Sequence, residues 1–121
     1  MEEAVQVDIG TARPSTEVVS MLRSLRESIG APLTAALTGA GSPMVVKAWI
    51  AGRAPMDSCA EQRLRDAYDV TKTLLAVDSP EIVRAWLLGM NPALDDRAPA
   101  VVIADDPAAV MRAARYYVAN G

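Results

Sequence analysis

The stretch SCAEQRLRDAYDVTKTLLAV, Ser58 to Val77, decides the fold class. Leu64, Ala67, Tyr68, Thr71, Leu74 and Leu75 recur three and four residues apart, so they share one face of a helix. Ser58 followed three residues later by Glu61 reads as a capping box, in which a hydroxyl and a carboxylate each satisfy an orphan N–H of the first turn. This segment is therefore an amphipathic helix with a marked start.

The same signals extend in both directions. Toward the N-terminus, Val18, Leu22, Leu25 and Ile29, with Met21 beside them, form one helical face that Gly30 ends at a left-handed cap. A short helix, roughly Pro32 to Thr38, stops at Thr38-Gly39-Ala40-Gly41. Ser42 then reads as an N-cap and Pro43 as the first helical residue of a third helix reaching Gly52. Toward the C-terminus, Ser79-Pro80 opens a fifth helix whose buried face is expected to hold Ile82, Val83, Trp86 and Leu87, and Asn91-Pro92 breaks it. Asp106-Pro107 opens the last helix, with Val110, Met111, Ala114, Tyr117 and Val118 on one face. The β-branched run inside 99–104 would suit a strand, but a lone strand has no partner and Pro99 is a helix starter. It is read as a short helix. The expected fold is all-α, with a flexible tail at 1–14, a helix-turn-helix domain at 15–77 and a small helical domain at 78–121.

Composition narrows the chemistry. With 121 residues, 51% of them hydrophobic, the chain can build a core of its own without a metal or disulfide staple. It has no histidine and one cysteine, so neither a Ser-His-Asp or Cys-His arrangement nor a His-ligated zinc site can be assembled. Cys59 is read as an ordinary helix residue, and the pairs Asp95-Asp96 and Asp105-Asp106 as caps and solvated loop residues rather than metal ligands. The expectation is a non-enzyme without metal or cofactor. Residues 1–7 have two acids and no basic or long apolar run, and no stretch approaches the length of a membrane span. A cytoplasmic location is expected.

Charge is unevenly placed. The whole chain carries a formal −3, but residues 20–65 carry +3 and residues 78–121 carry −2. The two short helices joined by a Gly-containing turn have the layout of a helix-turn-helix, whose second helix can enter a major groove. In that reading Ser42, Lys47 and Arg53 are the DNA-binding candidates, with Arg23, Arg26, Arg63 and Arg65 as further phosphate contacts. Trp49 and Ile50 belong to the core. So few groups that match base edges imply weak, salt-sensitive binding that needs two copies, hence a homo-oligomer.

Leu25 to Gly121 resembles the Xre/MbcA/ParS-type antitoxins, partners of toxins with a RES domain. Ile29-Gly30-Ala31-Pro32-Leu33 through Trp49-Ile50-Ala51-Gly52-Arg53 is similar to the family's Xre-like helix-turn-helix, and Ala85 to Pro99 looks like its toxin-binding motif. That motif has a Trp-Leu pair, then Asn-Pro-x-Leu, then a basic residue two before a proline: Trp86-Leu87, Asn91-Pro92-Ala93-Leu94, and Arg97 before Pro99. Where the family has Gly or small residues, this chain has Asp95 and Asp96. The resemblance implies an antitoxin that covers the active-site cleft of a NAD-consuming RES-domain toxin with its C-terminal region. It could also regulate its own operon, and a stand-alone small helix-turn-helix regulator is the alternative. The toxin-binding candidates are Trp86, Asn91 and Arg97, with Arg115, Tyr116, Asn120 and Gly121 from the last helix and the residue beyond it. Tyr116 lies about a hundred degrees around the helix from Tyr117 and is expected to be exposed, as interface tyrosines are.

Overall fold

A computed structural model describes residues 12–120, and these are all-α. Seven helices follow in order: α1 (Thr16–Ile29), α2 (Ala31–Thr38), α3 (Pro43–Ile50), α4 (Ser58–Leu75), α5 (Pro80–Leu88), α6 (Pro99–Val102) and α7 (Pro107–Asn120). Between α5 and α6 lies a 3-10 turn, Pro92–Leu94. Among the described residues there is no strand, and none of their helices is long and apolar enough to cross a membrane. The segment 99–104 is helical through Val102, as its leading proline suggests.

α4 is the centre of the packing, touching α1, α2, α5 and α7. Its buried residues are Leu64, Ala67, Val70, Thr71 and Leu74, one stripe at helical spacing. Around it close Val18, Leu22, Leu25 and Ile29 of α1, Leu33 and Leu37 of α2, Val46 and Trp49 of α3, Val83 and Leu87 of α5, and Val110 and Ala114 of α7. The segments 15–77 and 78–121 thus share one core. Of the expected tail, residues 1–11 lie outside the described part, and Ala12 offers its carbonyl to the Met56 N–H at 2.9 Å.

Helix ends follow the punctuation, with corrections in the details. Ser15, Ser79 and Asp106 accept from Val18, Ile82 and Ala109 N–H groups as N-caps do. The expected capping box at Ser58 does not form. Asp57, one residue earlier, is the N-cap of α4 and takes the Ala60 N–H at 2.7 Å, while Glu61 turns to Arg65 at 2.9 Å. A carboxylate is the stronger acceptor at a helix N-terminus, and with Asp57 in extended backbone Ser58 becomes helical. Ser42 holds the N-cap position of α3 in extended backbone, but its side chain makes no cap bond. Gly30 is not a left-handed cap either: its φ of 91° pairs with a ψ of 157°, a region essentially reserved for glycine, and the left-handed cap is Gly39 at φ 78° and ψ 15°.

Candidate functional site

Four residues of α7, Ala113, Tyr116, Tyr117 and Asn120, recur at the spacing of one helix face and form one wall of an open groove of about 410 Å³. Ala85 and Trp86 of α5, with Gly89 just past its end, form the opposite wall, and Met90 to Ala93 close one end. No charged residue lines it. The rings of Trp86 and Tyr117 meet across it with centroids 6.2 Å apart at 56°, the tilted arrangement that aromatic quadrupoles favour. The Tyr117 hydroxyl donates to Asp78 Oδ2 at 2.6 Å, which ties α7 to the α4–α5 junction. That hydrogen bond, then burial, then the Asp78 charge raise the Tyr117 pKa above its ordinary value.

Trp86 and Ile82 are not in the buried stripe expected of α5. In this nine-residue helix only Val83 and Leu87 are fully buried; Trp86 is half-buried at the groove and Ile82 is 46% exposed. The rim is apolar as well, with Met90 at 81% and Tyr116 at 68% exposure, far more than a core-forming side chain leaves in water.

The sequence-derived toxin-binding residues divide. Trp86, Asn91, Tyr116 and Asn120 come together in the groove, whereas Arg97 and Arg115 do not line it. Arg97 is exposed, and its Nε donates to the Leu94 carbonyl at 3.3 Å. Arg115 borders two clefts on the α4 side of α7, with Asp69 and Met111 in both. Adjacent residues on a helix diverge by about a hundred degrees, and here Tyr116 borders the groove with residues of α5 whereas Arg115 borders clefts with residues of α4. Gly121 lies outside the described residues.

Asn91 builds the loop that ends the groove. Its Oδ1 accepts the Ala93 N–H at 3.0 Å, its carbonyl accepts from Leu94 and Asp96, and its own N–H reaches the Arg97 carbonyl at 3.3 Å. Asp95 and Asp96 sit at φ 58° and 63°, both left-handed, which aspartate tolerates better than most residues and glycine best. Asn120 spends its amide on the Tyr116 carbonyl at 2.9 Å. Sequence reasoning missed Ala85, Met90 and Ala113 as groove residues. The repeat 113, 116, 117, 120 was the available signal, but alanine and an exposed methionine do not announce a wall.

The α3 candidates form no comparable site. Lys47 and Arg53 are exposed and Ser42 is half-buried, but the outward residues of α3 around Lys47 are Pro43 and Met44, the latter 79% exposed. Arg63, expected at phosphates, lies instead over the C-terminus of α2, its Nη2 3.4 Å from the Ala36 carbonyl. Arg65 pairs with Glu61 at 2.9 Å and Glu17 at 3.4 Å. Among the described residues no group of His, Cys, Asp or Glu is placed to hold a metal ion. Compared with protein-family models, curated proteins and solved structures, the chain matches none.

Proposed function

We propose that this chain is an antitoxin-type protein-binding module that neutralises a NAD-consuming RES-domain toxin by laying its C-terminal region over the toxin's active-site cleft. The observation that carries the binding role is the uncharged groove between α5 and α7, with Trp86 and Tyr117 in it and Met90 and Tyr116 exposed at its rim. Aromatic and methionine side chains left in water beside a groove are residue types that protein interfaces use as anchors. The kind of partner comes from the likeness of Ala85 to Pro99 to the toxin-binding motif of that family. Tyr116, rather than Arg115, is the anchor in this reading, because Tyr116 stands at the groove and Arg115 does not.

The stand-alone DNA-binding regulator is the weaker reading. Two of the basic residues it needs, Arg63 and Arg65, are engaged within the chain, and α3 presents Met44 and Pro43 beside Lys47 where amide and guanidinium groups would read bases. Co-expression with a RES-domain toxin tests the proposal, with growth and cellular NAD as readouts. Wild type and Arg115→Glu should restore both, and Tyr116→Asp should restore neither while keeping the wild-type melting temperature. Full protection by Tyr116→Asp would refute the groove as the inhibitory surface.

A further inference from the structure

The sulfurs of this chain's methionines are housed in different ways. Met56 is buried at 3% exposure, and Met21 and Met111 are half-buried against the core, the latter with the Thr73 hydroxyl 3.9 Å from its sulfur. Among the described residues Met44 and Met90 are the exposed pair, at 79% and 81%. Met44 stands on α3 and lines neither the groove nor the clefts beside Arg115. Met90 stands where the chain leaves α5 and turns toward Asn91, at the closed end of the groove itself.

Of the groove-lining residues Met90 alone carries sulfur, and the lining it belongs to holds Trp86, Tyr117 and no charged group. A thioether is apolar and conforms to an irregular partner surface. It is also open to two-electron oxidation. Hydrogen peroxide transfers one oxygen atom to the sulfur, its O–O bond breaks, and the other oxygen leaves as water. The sulfoxide so formed is polar and chiral, and enclosing it between apolar surfaces costs free energy that the thioether does not. Burial shields Met56 from the same reaction, and Cys59, the chain's one thiol, is exposed but in the first turn of α4, outside the groove.

We infer that Met90 is a reversible oxidation switch on the groove: the thioether form holds a partner and the sulfoxide form releases it. The inference rests on the groove being the partner-binding surface. Reductases specific for the two sulfoxide epimers return the thioether, with a dithiol as the reductant and water as the product.

Peroxide treatment of a Cys59→Ser parent chain, quenched before any partner is added, keeps the thiol and the toxin out of the reaction. Peptide mass spectrometry should show Met90 and Met44 gaining oxygen well before Met56. In calorimetry against a RES-domain toxin, oxidation should weaken binding at least about tenfold, the scale of burying one unpartnered polar group. Treatment with sulfoxide reductases should restore it. Each variant is compared with its own reduced form: Met44→Leu should lose affinity on oxidation as the parent does, and Met90→Leu should not. Unchanged affinity after full oxidation of Met90, or an equal loss in Met90→Leu, overturns the switch. Tyr116→Asp separates the two readings. Where it abolishes binding and oxidation of the parent does not weaken it, the groove stands and the switch falls. Where it binds as the parent does, or the reduced parent binds no toxin, the groove reading falls and the switch with it.

Discussion

Gly39 offers the sharpest test of how the α2–α3 turn is built. It ends α2 at φ 78° and ψ 15°, and a methyl group there would stand 2.6 Å from Arg63 Nη1 and 3.1 Å from Cζ. Gly39→Ala therefore meets two separate costs. The left-handed backbone costs an L-residue about 1 kcal/mol or somewhat more. Displacing the guanidinium adds about 1 kcal/mol, because it gives up the Ala36 carbonyl and its Nε is already buried, so little room is left for retreat. The total of about 2 kcal/mol corresponds to a fall in melting temperature of roughly 8 °C for a domain of this size. Arg63→Ala removes the obstacle, so in that background Gly39→Ala should cost only the backbone part, about 1 kcal/mol. Gly41→Ala is the control: its φ is 87° but nothing lies within 4 Å of the added carbon, so it too should cost about 1 kcal/mol whether or not Arg63 is present. Urea unfolding followed by circular dichroism measures all five variants. Equal costs of Gly39→Ala in the two Arg63 backgrounds would refute the packing argument, and a cost near zero in both would refute the left-handed turn itself.

Other expectations follow from single contacts. Asp57→Ala should cost about 1 kcal/mol in a urea titration and Ser58→Ala almost nothing, since the carboxylate and not the hydroxyl caps α4; the reverse order would restore the capping box. Leu64→Ala, at a residue with no exposure, should destabilise by roughly 3–5 kcal/mol, enough to lower the urea midpoint substantially without changing the sign of any helix signal in circular dichroism. The Tyr117–Asp78 bond carries a pH signature. Because folding raises the Tyr117 pKa, its contribution to stability is complete below tyrosine's ordinary value near 10 and is lost as pH rises through the raised value. Alkaline titration followed by Trp86 and Trp49 fluorescence and by unfolding should thus show a step in wild type that Tyr117→Phe lacks, and an identical profile in both would exclude the linkage.

The amino-acid sequence by itself determined the helices. Their apolar residues repeat every three or four positions, and Ser15, Ser79-Pro80, Asn91-Pro92 and Asp106-Pro107 mark ends through local chemistry that acts within one turn. Where two acceptors stand side by side, as at Asp57 and Ser58, only backbone angles choose between them. Which side of a short helix is buried was settled by neighbours. α5 has two apolar faces on paper, and the packing against α1 and α4 buries Val83 and Leu87 and leaves Trp86 at an edge. Arg115 and Tyr116 are consecutive, yet one borders clefts with residues of α4 and the other the groove with residues of α5. The groove belongs to the tertiary structure entirely, because it joins side chains that lie some thirty residues apart, Trp86 with Tyr117. Periodicity specifies which residues share a face of one helix; what that face meets is decided only when the other helices close over it.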